Sequence, residues 1–468
     1  MPGVLLAVPG TRAVAPRPAP AARRRRTVVP YVLAGLLFIA YATISVSRYR
    51  RMDTLSWDLG IFEQAVRAYA HLQAPVVDLK GPGTLVLGDH FSPVTALLAA
   101  PYRLFPSPVT LLVAQAALFA VSVIPVARLA GVSIGLAYGL SWGVQRAVDF
   151  DFHEIAFAVP LIAFALEAVL RGRWYRALAF AVPLVLVKED LGVTVAALGL
   201  VVALRARRAS PRAALWGLGT AAFGVVAALV TLTLVIPAFN TGGGYDYWDK
   251  VGRHDNAVGF LTTALDVKLR TLAWLLLPTT GLLALRSPLL VVALPTLGWR
   301  FLSAEDHYWS TDWHYNAVLM PVLAFALADA VDICRRSPHT WLRAYAFRLP
   351  ACTAAAALAL TTTLPLGALT DPATYRRSGQ VAAAERLLER IPDGVSVEAN
   401  IGPISRLTGR CRVFWVGGAR GETPDYIALD NTDGDFPRPE EYAGRLHPGA
   451  RYSLTGAAGG YLLLRLRA

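Results

Sequence analysis

Five short stretches carry most of the side chains that could move a proton, bind an anion or ligate a cation. "SWDLGIFEQ" (56–64) sets Asp58 just past the first apolar run, where a carboxylate suits either a general base or, with Ser56, a helix N-cap. "GDHFSP" (88–93) supplies His90. In "DFDFHE" (149–154), Asp149, Asp151 and His153 would share one side of an extended chain. Asp151, His153 and Glu154 could then hold a divalent cation such as magnesium or manganese, or the stretch is simply a solvated loop. "KED" (188–190) puts Lys188, Glu189 and Asp190 inside "PLVLVKEDLGVTVAAL". Charge at the edge of hydrocarbon is expensive, so these three either pair with one another or serve a function, Lys188 by neutralising a lipid phosphate. "SAEDHYWSTDWHYN" (303–316) offers His307 and His314 among carboxylates and aromatic rings. That mixture suits a sugar ring and equally an aromatic belt at a membrane surface, and the histidine spacing is not that of a metal pair.

The elements that must position these residues are membrane spans. Of the 468 residues, 55% are hydrophobic and 16% charged, against about 25% charged in soluble domains. Apolar runs at 30–46, 108–130, 213–237 and 315–333 approach or exceed the roughly 20 residues that cross a bilayer. The net charge of +13 does not indicate nucleic acid, because the arginines fall in short clusters between apolar runs with no basic stripe. Cys334, Cys352 and Cys411 are too dispersed for a disulfide framework or a zinc site.

Arginine clusters at 22–26, 171–176, 205–212, 286 and 335–348 mark loops held in the cytoplasm. The alternation is satisfied by about 11 spans, with a range of 9–13. They lie near 28–47, 108–130, 132–148, 154–170, 174–187, 190–204, 213–237, 271–286, 288–302, 315–333 and 349–369. The N-terminus is then cytoplasmic, the five chemical stretches lie outside with "YDYWDKVGRHDN" (245–256), and only His339 of the eight histidines is inside. Sorting of positive charge explains the arginines, but not why His and Asp gather on the other face. "SRYRR" (47–51) breaks the rule by putting arginines just outside the first span, so either a functional anion compensates them or the first span ends elsewhere.

Three regions follow. Residues 1–27 form a disordered basic leader, 28–370 the transmembrane domain with a long first outer loop at 48–107, and 371–468 a small extracytoplasmic α/β domain. In the first loop, Ile61, Phe62, Ala65, Val66 and Tyr69 predict an amphipathic interfacial helix, and "HFSPVTALLAAPYRLFPSP" a second interfacial or re-entrant piece. Helix 373–394 and strands 395–399, 411–416, 425–429 and 461–466 make up the C-terminal domain, which has no phosphate-loop, nucleophile-elbow or zincin motif.

"SWDLGIFEQAV", "GDHFSPVTALLAAPYRLFPSPVTLLVAQ", "DFHEIAFAVPLIAFALE" and "VKEDLGV" occur in an order that resembles the prokaryotic membrane family called domain of unknown function 2079. That family in turn resembles the C-type glycosyltransferases, polytopic enzymes that take sugars from polyprenyl-phosphate donors at the outer membrane face. The resemblance implies a plasma-membrane, C-type glycosyltransferase-like fold. It also implies a lipid-linked donor and a cell-envelope glycan, lipid or protein acceptor. Asp58 matches the acidic position of the first loop, as a single carboxylate where some relatives have a pair. The expected reaction is inverting transfer with Asp58 as base, donor contacts being sought among Arg50, Arg51, His90, Lys188, Glu189, Asp190, His307 and His314. The rivals are a transporter or lipid flippase, against which the absence of internal repeats counts, and a non-catalytic envelope assembly protein.

Overall fold

The computed structural model describes residues 20–55, 57–245 and 263–467, so the capping role of Ser56 and most of the 245–256 loop fall outside it. Four described helices are long and apolar enough to cross a membrane: Val28–Arg50, Pro108–Ala130, Pro211–Phe239 and Thr340–Thr361. The first belongs to α1 (Pro20–Arg50), which packs along the Pro108–Ala130 helix with buried Leu37, Tyr41 and Ile44 in their common core.

Several expected spans are interrupted. The 132–148 run is two helices, Val132–Gly139 and Trp142–Asp149, and 288–302 divides into a 3-10 segment, Pro288–Ala293, and the helix Leu294–Leu302. Between 174 and 187 the helix Trp174–Ala181 tightens into 3-10 turns at Val182–Leu186, where Pro183 cannot donate the next helical hydrogen bond. Hydropathy alone could not reveal these breaks, because broken and continuous helices bury the same apolar side chains.

At one end of the bundle sits a five-stranded sheet with order β2-β1-β3-β5-β4. Strands β1 (Ser396–Ala399), β2 (Arg412–Trp415), β3 (Tyr426–Asp430) and β5 (Tyr461–Leu466) stand within a residue of the ranges expected from the sequence. β4 (Tyr452–Ala458) is additional, and its small, half-exposed residues gave little periodic signal. β1 pairs in parallel with β2 and β3, whereas β5 is antiparallel to β3 and β4.

The first loop joins the two parts. Its helix α2 (Trp57–Ala70) is not interfacial: Leu59 through Val66 are all buried, on every face. One side packs on the Ala99–Leu104 helix and the other on the Ile401–Leu407 helix. Gln64 donates to the Val413 carbonyl at 2.9 Å, and Arg67 to the Thr408 and Cys411 carbonyls at 3.1 Å each. Asp78 takes two hydrogen bonds from Arg412, both 2.9 Å. The polar face of α2 reads as water-facing in the sequence because these partners lie more than three hundred residues away. The re-entrant piece does resemble an interfacial element, with Leu97, Leu104 and Phe105 each more than two-thirds exposed.

Candidate functional site

Beneath this loop and above the helical bundle lies a cavity of about 670 Å³. Among the described residues, the first turn of α2, the 80–90 turns, the 150–155 loop, the 188–191 turn and the 303–318 loop meet there, with Leu232, Tyr245, Thr296 and Trp299 completing the wall. Asp58 stands half-buried at its edge. Potential ligand atoms of Asp58, His153 and His314 lie within 4.8 Å of one another. The two imidazoles stack at 3.6 Å between centroids, 23° apart, and Phe150 covers His314 at 4.5 Å.

Burial, reinforced by the positive fields of His153 and Lys188, holds the His314 imidazole well below its usual pKa, so it is neutral at pH 7. Its Nδ1 is buried without a hydrogen-bond partner among the described residues. The Glu154 carboxylate lies 2.8 Å from His153 Nδ1 and receives Lys188 Nζ at 2.8 Å. A neutral imidazole, a second imidazole backed by a carboxylate and a nearby Asp form a donor set that fits a divalent cation. Two imidazoles favour a zinc-type ion over magnesium.

Around this core Lys188 and Glu189 of the KED triplet join a network, while Asp190 Oδ1 is buried without a hydrogen-bond partner among the described residues. Lys188 is shared between Glu154 and Glu189, the latter at 4.0 Å. Glu189 accepts from the Phe91 amide at 3.3 Å and the Tyr245 hydroxyl at 3.1 Å. Asp89 bridges His90 and Lys80, the latter at 3.1 Å. Burial alone would raise the Asp89 pKa, but the charges of His90 and Lys80 hold it far below the carboxylate range. The same pairing keeps His90 above its ordinary value against the effect of burial.

The cavity thus gathers Asp58, His90, Lys188, Glu189, Asp190, His307 and His314 of the anticipated residues, together with His153. Arg50 is exposed at the end of α1. Arg51 pairs with Asp53 at 2.6 Å in a separate depression, beside Arg48 and its partner Asp149. Two of the three "SRYRR" arginines, Arg48 and Arg51, therefore already meet carboxylates.

The extended reading of "DFDFHE" is corrected. Asp149 closes a helix, and Asp151 turns the chain at φ 76°, so the three side chains do not share a face. Gln115 fixes that turn, donating to the Asp151 carbonyl and accepting from the His153 amide at 3.0 Å. Of Asp151, His153 and Glu154, only His153 joins the candidate cation cluster, with Glu154 behind it.

The sequence did not reveal Trp57, Lys80, Trp299 or Tyr245 as lining residues, nor the role of Arg300. The Arg300 guanidinium is fully buried. It donates to the Tyr308 carbonyl at 2.8 Å, the Ser310 carbonyl at 2.9 Å and Asn316 Oδ1 at 2.8 Å, and so fixes the loop that presents His307 and His314. A lone arginine in an apolar run, five residues before the nearest acid, Glu305, was the one available signal.

The helical bundle, the long first loop packed beneath a small sheet and the cavity between them are the architecture of a membrane protein, and that fold is shared with solved structures of ArnT. The crystal structure of ArnT from Cupriavidus metallidurans bound to undecaprenyl phosphate superposes with TM-score 0.55 at 16% identity, covering 92% of this chain and 97% of that one. The apo structure of the same protein gives TM-score 0.50 at 13% identity, covering 95% and 98%. The cryo-EM structure of the arabinosyltransferase EmbB from Mycobacterium smegmatis gives 0.35 at 13% identity, covering 82% of this chain and 33% of EmbB. Residues 48–445 match the family described as predicted membrane protein DUF2079, and the chain belongs to that family. No curated protein matches it in sequence.

Proposed function

We propose that this protein is a membrane glycosyltransferase that moves a sugar from a polyprenyl-phosphate donor to a cell-envelope acceptor. The observation that carries the reading is the cavity where Asp58, two histidines and Lys188 meet aromatic walls. The overlap with ArnT, whose structure holds undecaprenyl phosphate, supports a lipid-linked donor. Trp57, Trp299 and Trp313 offer faces on which a sugar ring can lie.

In this mechanism the Asp58 carboxylate takes the proton of an acceptor hydroxyl. The freed oxygen attacks the anomeric carbon from the face opposite the phosphate, so the configuration inverts as the sugar–phosphate bond breaks. The departing phosphate gains negative charge, and preorganised positive groups must meet it. Lys188 and Lys80 are the lysines of the cavity, each held in place by a carboxylate. Asp58, His153 and His314 would hold a divalent cation, which supplies further positive charge at that phosphate. Arg50, exposed at the end of α1, can attract anionic lipid without touching the reacting atoms, whereas Arg51 is already held by Asp53. The same reading sets the cavity and the sheet on the extracytoplasmic face, because the arginine clusters mark the other end.

Because three tryptophans line the cavity, donor product can be followed by their fluorescence. Saturable quenching by polyprenyl phosphate, weakened about tenfold or more in Lys188→Gln, is the expected result. Identical curves for both proteins would remove Lys188 from phosphate binding, and no quenching at all would contradict a lipid-phosphate site.

A further inference from the structure

The other end of the same helices carries a second cavity, of about 280 Å³. The Ala158–Leu170 helix begins four residues after Glu154 and ends beside Glu167 and Arg171, and its 13 residues rise about 20 Å. The two cavities therefore lie at opposite ends of one helix. Arg128, Arg171, Arg173 and Arg176 surround the second one, with Glu167 the only carboxylate among the described residues that line it. Glu167 is occupied by Arg128 at 2.6 Å and Arg171 at 3.0 Å. Arg173 and Arg176 have no ion pair among the described residues, which leaves the cavity with an excess of positive charge.

The turn that presents them is rigid. Gly172 sits at φ 66°, and the Arg173 amide reaches back to the Ala168 carbonyl at 2.8 Å, closing the helix in a left-handed cap that favours glycine. One wall is apolar, since Phe164 and Phe180 stack at 5.2 Å and the Arg128 guanidinium lies over Phe164. Tyr31 meets Arg128, and both Tyr31 and Tyr175 are about half exposed at this level. Exposed tyrosines beside arginines mark the depth of lipid headgroups.

We propose that this cavity is a binding site for the phosphate headgroup of an anionic phospholipid in the leaflet at the arginine-rich end. The unpaired Arg173 and Arg176 would take the phosphate oxygens as charge-assisted hydrogen bonds. The phenyl wall would receive the glycerol and upper acyl carbons, a surface that a free phosphate ion cannot use.

The test is native mass spectrometry of the full-length protein after exchange into mixed phosphatidylglycerol and phosphatidylcholine, with and without millimolar inorganic phosphate. The wild type is expected to retain phosphatidylglycerol selectively, and Arg173→Gln/Arg176→Gln to lose it about tenfold or more. The control Arg207→Gln/Arg208→Gln, altered at exposed arginines elsewhere on this end, is expected to behave as wild type. Arg176→Gln alone, with a smaller loss in the same direction, serves if the double variant does not purify. Equal retention of both lipids, or equal retention by all variants, would overturn the proposal. Displacement by inorganic phosphate would overturn it too, by showing a site for a free anion.

Discussion

At the scale of single residues, the chemistry depends on how few groups fix the loop above the cavity. Arg300 is the clearest case, because its guanidinium donates to acceptors of four loop residues, with no carboxylate to neutralise it among the described residues. Replacing it with methionine keeps much of the volume and leaves those acceptors buried and unpaired, each at a cost of about 1–3 kcal/mol. Arg300→Met is expected to lower the melting temperature and to reduce sugar transfer through misplacement of His307 and His314. Arg300→Lys, which keeps one donor, should recover part of both. Unchanged melting and turnover in the methionine variant would show that the loop holds without it.

At the scale of elements, the decisive contact is α2 against the C-terminal domain. At Gly60 the helix approaches so closely that an added Cβ would lie 2.5 Å from Ile404 and 2.7 Å from Leu79. Both neighbours are side-chain ends, so alanine should be tolerated with local repacking. Gly60→Leu should push the domain off at a cost of about 1–3 kcal/mol, seen as faster proteolytic release of residues beyond the last long helix. Equal cleavage rates would mean that the interface does not depend on this approach. The elements themselves were largely legible in the sequence, because apolar runs and strand alternation are local signals. "KED" and "SAEDHYW", which line the cavity, stood out in the sequence for the same reason, since ionisable groups beside apolar runs carry a cost visible without a partner. What each group pairs with was not. His153 finds His314 through a turn set by Asp151 in the left-handed region, and the polar face of α2 finds strands near the far end of the chain. Periodicity contains no information about either meeting.

At the scale of the whole molecule, Glu63 couples the parts. It is fully buried, accepting from Tyr102 at 2.9 Å and from the Thr408 hydroxyl. Burial raises its pKa to about 7, against the lowering effect of those two hydrogen bonds and of Arg67. A carboxyl with a raised folded-state pKa binds its proton more tightly folded than unfolded, so stability is highest below the ordinary carboxylate pKa and declines as pH rises through about 7. Melting of the wild type should therefore fall between about pH 5 and pH 7.5. Glu63→Gln, which does not titrate, should flatten that part of the profile, and identical slopes in the two proteins would place the pH dependence elsewhere.

The claim that joins these scales is that the cavity transfers a sugar from a lipid phosphate and that Asp58 takes the acceptor proton. It is tested most directly by following release of polyprenyl phosphate from a panel of polyprenyl-phosphate sugars, with purified wild type beside Asp58→Asn. Release by the wild type is expected, with a reduction of about a hundredfold or more in the variant at unchanged melting temperature. Equal release by both proteins would contradict the role of Asp58, and no release by the wild type from any donor offered with a cell-envelope acceptor would contradict the reaction itself.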